Sequence, residues 1–324
     1  MTGEPIARAR ELAQVTGRAD VAARLLWAEW VGVDKACDAE RSRELAERLA
    51  VQAAASGDPM IEGLSLHARG VICWHAGDLA GSVAALDRAA ALNLQWASTS
   101  QTSVLSMIWP VSPVAWPRGH PVVAFVRMLV GDHDDPMAEF ERIASFDLQP
   151  FGNTVVWMFA AFGALAIDDI DLAVAAGRRG LEADPDLVFT YWGPGAHMAL
   201  GAALVAKGEL DEGLGLVARA LPRYLASGTR IFVPLMHVRL AQGLARCGRL
   251  DEAAAQLTRA STLAAEYGER WLEPILLAVG AEVDAIRDPA DATVGERLAR
   301  ARDLAREQGA HGVARSILAA SARL

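Results

Sequence analysis

Apolar residues recur through most of the chain at steps of three and four, the spacing of one face of an α-helix. Leu240, Ala241, Leu244 and Cys247 make one such stripe, and Leu250, Ala253, Ala254, Leu257, Ala260 and Ala264 make the next. Gly248 stands between them, where the first helix must end in a left-handed turn that glycine adopts without a Cβ clash. Asp251 and Glu252 follow in the first turn of the second helix, where free N–H groups favour negative charge. The unit predicted is a helix hairpin.

The unit repeats. Gly208-Glu209-Leu210-Asp211-Glu212 returns forty positions on (248 − 208) as Gly248-Arg249-Leu250-Asp251-Glu252. A period of roughly 20–50 residues marks a stacked array. Extending the register makes Gly77, Gly131, Asp168, Gly208, Gly248 and Asp288 equivalent turns, with spacings of 54, 37, 40, 40 and 40. Seven residues before each turn lies Gly70, Ala124, Ala161, Gly201, Ala241 or Ala281, and five after lies Ser82, Pro136, Ala173, Gly213, Ala253 or Thr293. Small residues there let the two helices approach closely. Pro185, after Leu181-Glu182-Ala183-Asp184, adds a helix stop. The pattern resembles the tetratricopeptide repeat, stretched toward forty residues. The resemblance implies an all-α, tetratricopeptide-like right-handed α-solenoid of about seven helix hairpins.

In chain order, helices are expected over residues 6–16 and 19–31, then over 38–54 with Leu45 and Leu49 inward. Ser56-Gly57-Asp58-Pro59 reads as a break and cap opening a helix to His75, and the helix after Gly77 ends near Leu94. Residues 1–95 are thus N-terminal hairpin repeats. Residues 96–120 depart from the register: a polar uncharged run, Ser98–Ser103, precedes Trp109-Pro110 and Trp116-Pro117. Proline removes backbone donors and stops helices, so this is an irregular Trp/Pro-rich insertion. Its tryptophans either cap a neighbouring helix pair or wall a pocket. Residues 121–324 resume the repeats, one continuous solenoid with the first part. The last helix lacks the polar outer face that a terminal repeat needs, as expected of a segment of a longer chain.

Of the 324 residues, 52% are hydrophobic, and the net charge is −9 with no lysine-rich run, which argues against a nucleic-acid surface. Cys37, Cys73 and Cys247 form neither a zinc pattern nor a disulfide framework. They read as buried structural thiols in helices of a cytoplasmic protein. Arg8, Arg10 and Glu11 interrupt any apolar leader, and the uncharged runs 92–117 and 149–167 are broken by polar residues and proline, so no membrane contact is expected.

Catalytic patterns are missing. The chain has no phosphate-binding loop, no H-E-x-x-H and no G-x-S-x-G. His133-Asp134-Asp135 sits at a turn and reads as a helix cap rather than a metal site. Gly193-Pro194-Gly195 beside His197 reads as a kink or helix start. Neither catalytic residue, metal nor cofactor is expected, and the chain reads as a non-enzyme.

In tetratricopeptide-like stacks the first helices line the concave face. Positions six and ten before the turns place His67, Phe125, Met158, Phe162, Met198 and Gln242 there; Trp74 and Met128, three before, extend the set, and Arg246 adds a polar edge near Glu282. Such a face is apolar and methionine-bearing at its centre, which suits adaptable binding. Either it is an open groove, with Trp109 or Trp116 folding toward its mouth, or the superhelix is tight and these residues are core. Eleven before the turns stand His120, Trp157, His197 and His237, a ladder that reads as satisfied core.

A narrower likeness lies toward the C-terminus. Gly268-Glu269-Arg270-Trp271-Leu272-Glu273, then residues 301–310 and Ser321-Ala322-Arg323-Leu324, resemble the closing repeats of large bacterial signalling ATPases, including LuxR-type regulators and multidomain adenylate cyclases. The resemblance implies a sensor arm that binds an inducer or partner protein. The expected function is a regulatory sensor or protein-interaction module, part of a larger signalling or transcriptional regulator. Its concave groove would bind a small apolar effector or a partner helix. The competing class is a stand-alone repeat protein whose groove has become an active site for an apolar small molecule.

Overall fold

The computed structural model describes residues 3–99, 120–132, 135–145 and 150–322. Among them every regular element is a helix. After α1 (Gly3–Val15) come the pairs α2 (Ala19–Lys35) with α3 (Ala39–Ser56), α4 (Pro59–His75) with α5 (Leu79–Thr99), and α6 (Pro121–Val130) with α7 (Ala138–Ala144). They are followed by α8 (Pro150–Ala166) with α9 (Ile170–Ala183), α10 (Trp192–Lys207) with α11 (Leu210–Ala226), and α12 (Val233–Arg246) with α13 (Leu250–Tyr267). A 3₁₀ turn, Arg270–Leu272, leads into α14 (Glu273–Arg287), paired with α15 (Val294–Glu307), and α16 (His311–Ser321) follows. The stack of helix hairpins expected from the forty-residue period is the observed architecture.

The register explains the turns. Gly77, Gly131, Asp168, Gly208 and Gly248 all have positive φ, between 59° and 99°. Asp288 departs, with φ of −136° in an extended turn. The series also reaches one unit further back than the glycines suggested. Cys37 has φ of 59° and lies forty residues before Gly77 (77 − 37), with the buried Ser42 at the small position five after it. Cys37 is therefore a turn residue, not the helical residue expected. Cys73 is half-buried in α4, and Cys247, expected to be buried, is exposed at the end of α12.

Close approach within a pair is clearest at α10 and α11. A Cβ on Gly201 would lie 2.8 Å from the Gly213 carbonyl oxygen, and one on Gly213 would lie 2.6 Å from that of Gly201. Gly201→Leu is therefore expected to lower stability by at least the ~1–3 kcal/mol typical of overpacking. A thermal melt at the wild-type temperature would refute the contact.

The first helices of the pairs form the inner layer. All of α10 except its terminal Lys207 is buried, as is nearly all of α8 and α12, whereas α13 and α15 each bury a single narrow stripe. A helix apolar all round must lie inside. The inner helices also touch beyond their sequence neighbours: α12 meets α8, α16 meets α6, and the 3₁₀ turn meets α4. Backbone bonds tie the N-terminal hairpins to later repeats, Arg230 N–H to the Lys35 carbonyl at 2.7 Å and Leu79 N–H to the Gln308 carbonyl at 3.2 Å. The array closes on itself.

Closure decides between the two readings of the concave face. Phe125, Met158, Phe162 and Met198 are fully buried and Met128 is 2% exposed, packed in one continuous core. Phe162 stacks on Phe232 at 4.3 Å between ring centres, and Phe125 meets Trp74, Phe232 and Trp271 edge-on within 6 Å. The open apolar groove is corrected: those side chains fill the core, and among the described residues they leave no open apolar face for a helix to enter. Two boundaries also shift. Helix α2 runs to Lys35 rather than residue 31, and α5 to Thr99, past the expected end near Leu94.

Candidate binding pocket

A cavity remains where the N-terminal hairpins meet the later repeats. Helix α2 contributes Trp27, Trp30, Val31, Asp34 and Lys35, whose spacing of three and four puts them on one face. Helix α4 adds Leu64, His67, Val71 and Trp74. His120 and Val122 come from the start of α6, Phe159 from α8, Tyr191 and Trp192 from the entry to α10, and Ile231 from the entry to α12. The cavity volume is about 60 Å³. That is below the roughly 300–1,000 Å³ of most small-molecule sites, but the walls share their make-up, mainly apolar with a few polar groups.

The walls are aromatic. Trp27 and Trp30 stack at 4.8 Å, His67 meets their edges at 5.1 and 6.3 Å, and the His67 and His120 rings lie 4.4 Å apart. Burial holds His67 down to about 4, and burial beside His67 holds His120 well below its usual value, so both imidazoles are neutral near pH 7. His120 Nδ1 also accepts the Val122 N–H at 3.1 Å, capping α6. The Lys35 ammonium sits 4.5 Å above the Tyr191 ring, a cation–π contact, and burial lowers its affinity for the proton. Trp74 lies between this cavity and the central core.

Behind Asp34 is a second polar cluster. Asp34 Oδ1 accepts from Ser42 Oγ at 3.2 Å and lies 3.8 Å from His75 Nε2, within ion-pair reach. Burial opposes the charge on His75, but Asp34 and Glu269 outweigh it and raise its proton affinity. Glu269 is 1% exposed, and burial raises it to about 7. Cys37 Sγ is 3.9 Å from Glu269 Oε1; burial, with Glu269 and Asp34 beside it, pushes that thiol far up and leaves it unreactive. A raised carboxyl favours the fold fully below its unfolded value and loses that contribution as pH rises through 7. Thermal melts should therefore show stability declining from about pH 4.5 to about pH 7 and levelling off above it, on the order of 3 kcal/mol in total. Glu269→Gln should make that decline shallower; an equal decline in the variant would remove Glu269 as its cause.

The remaining expected site residues fall elsewhere. His67 and Trp74 do line the cavity, whereas Phe125, Met128, Met158, Phe162 and Met198 are core. Gln242 and Arg246 join a separate network at the turn end of the inner helices. Arg239 donates to the Leu165 carbonyl at 2.7 Å, to Asp168 at 2.9 Å and to Gln242 at 2.7 Å; Gln242 and Arg246 both donate to Glu282, at 3.0 and 3.2 Å. Trp109, Trp116, His133 and Asp134 lie outside the described residues. The ladder positions are satisfied core as expected at His197, whose Nε2 is 3.0 Å from the Asp184 carbonyl, and Trp157 is buried. His237 bonds Gln256 through Nδ1 while its Nε2 has no partner. Sequence reasoning missed Trp27, Trp30, Lys35, Tyr191 and Trp192 as site residues. The helical spacing of Trp27, Trp30, Asp34 and Lys35 is a visible stripe, but nothing local points it at Tyr191.

Among the described residues no group of His, Cys, Asp and Glu could hold a metal ion, and no helix is long and apolar enough to cross a membrane. Comparison of the chain with protein-family models, with curated proteins and with solved structures found no match.

Proposed function

We propose that the chain is a regulatory sensor module that encloses a small effector with an apolar body in the aromatic cavity. The observation that carries this reading is the origin of the walls: α2 and α4 from the N-terminal hairpins, α8 and the entries to α10 and α12 from the middle of the array. A ligand touching both would bias how the N-terminal hairpins seat on the later repeats, and a ligand shifts an equilibrium only by its unequal affinity for two states. That is a means of passing occupancy to a partner. The tetratricopeptide-like right-handed winding, the cytoplasmic setting and the attachment to a larger bacterial signalling regulator rest on the resemblances of the repeats and the C-terminal segment. They supply the context in which such a module would act. A partner helix in a concave groove drops out, since the core fills that space.

The test is a thermal-shift and tryptophan-fluorescence screen of small aromatic and aliphatic compounds. A true ligand at a hundred times its Kd adds about 2.7 kcal/mol to stability, and should quench Trp27 or Trp30 emission. Val31→Trp, which would fill the cavity, should abolish both signals. Compounds that bind the variant and the wild type equally would place the site elsewhere and defeat the proposal.

A further inference from the structure

The chemistry of the cavity wall narrows the ligand class. This step rests on the sensor reading above and goes beyond it. Trp27, Trp30 and Trp74 are each at most 3% exposed, and the indole N–H of each has no hydrogen-bond partner. Indole nitrogen donates only, and a buried donor without an acceptor is a rare state that calls for a bound group to complete it. All three rings line the same cavity. Lys35 lines it as well, and among the described residues no carboxylate comes within ion-pair distance of its ammonium. Asp34, the carboxylate in the wall, is engaged by Ser42 and faces His75, whose raised proton affinity favours a matching positive charge. His67 and His120 are held neutral by burial.

We infer that the cavity takes a small aromatic carboxylate, its ring among the tryptophans and its anionic oxygens accepting from Lys35 and the indole N–H groups. A cage for an organic cation would also be lined by aromatic rings. Its wall would not carry an ammonium, and it would hold an uncommitted carboxylate. A plain hydrocarbon would fill the space yet leave the donors buried without acceptors, which is why the oxygen-bearing anion is the better match. A cavity of about 150 Å³ takes benzene, so at about 60 Å³ this one admits a single ring only as its walls move apart.

The experiment titrates the whole chain at pH 7.5 with benzoate and phenylacetate, with their neutral counterpart benzyl alcohol, with benzyltrimethylammonium, and with acetate. Tryptophan quenching and ligand-observed NMR are the readouts. The aromatic acids are expected to bind at least tenfold tighter than the alcohol, the cation or acetate. Lys35→Met should weaken the acids tenfold or more and leave the alcohol unchanged, Lys35→Arg should restore most of the affinity, and Trp30→Phe, which keeps a ring but removes an N–H, should cost several-fold. Lys35→Met removes no ion pair and should fold; if its melt shows otherwise, Trp27→Phe and Trp30→Phe carry the comparison. Equal binding of acid and alcohol, unaffected by Lys35→Met, would overturn the inference and leave an apolar sensor pocket. Preference for the cation, or acetate binding as well as benzoate, overturns it too. Failure of every probe to bind brings down the sensor reading with it.

Discussion

Replacing Arg239 by methionine should lower the melting temperature by about 10 °C, the loss of roughly 3–5 kcal/mol expected when one partner of a buried ion pair is removed. Its side chain is 3% exposed and that of Asp168 9%. The guanidinium reaches from α12 to the end of α8, two hairpins away, where it binds the Leu165 carbonyl, Asp168 and Gln242 together. Methionine fills a similar volume but donates nothing, so buried acceptors lose a charged donor. Adding Asp168→Asn to the variant should return part of the loss, because the unbalanced carboxylate goes with it. A double variant as unstable as the sum of the two single ones would mean that the pair does not act as a unit. Melting of Arg239→Met within a degree or two of wild type would rule out the network as a closure element.

The second large effect is expected at Trp271. The ring is 2% exposed and lies 5.7 Å from Trp74 and 5.8 Å from Phe125, centre to centre. It projects from the 3₁₀ turn that meets α4, so it joins the C-terminal repeats to the N-terminal hairpins across the middle of the molecule. Alanine there should cost about 3–5 kcal/mol, the usual range for emptying a buried aromatic site. Urea unfolding should show a lower midpoint. Proteolysis at the exposed Ser56-Gly57 junction should quicken as the N-terminal hairpins loosen. An unchanged midpoint would show that the two parts are held together by other contacts alone.

The hairpins were legible because their determinants are local. A glycine at positive φ, a small residue seven before it and another five after it repeat at fixed intervals, and each has a steric reason. The register failed where chemistry and geometry part company. Cys37 adopts the left-handed turn without being glycine, so the turn register was not carried back to the first pair although its helices were expected, while Asp288 holds the spacing with a different backbone. The groove was less legible for a deeper reason. Phe125, Phe162 and Met198 would be apolar whether they lined an open concave face or filled a closed centre. The choice depends on how far each hairpin rotates against the next, and that is summed over the whole array. The cavity was hidden by the same sum: Trp27 and Tyr191 are 164 residues apart (191 − 27) and line one cavity only because the N-terminal hairpins fold back on the middle repeats. Of the expected site residues that the structure describes, only His67 and Trp74 line the cavity, and they were chosen for a groove that closure removes.

The bond from Arg230 to Lys35 has a consequence for how such a protein can change length. Open arrays grow and shrink by duplication or deletion of a unit, because each unit needs only its neighbours. Here one unit more or fewer would carry Lys35 away from Arg230 and Gln308 away from Leu79, and the tryptophan walls would no longer face each other. Unit number is thus fixed by geometry, as strand number is in a barrel. The same joining raises the contact order above that of an ordinary helical array, so folding should be slower than its local hairpins suggest and should finish in one cooperative step.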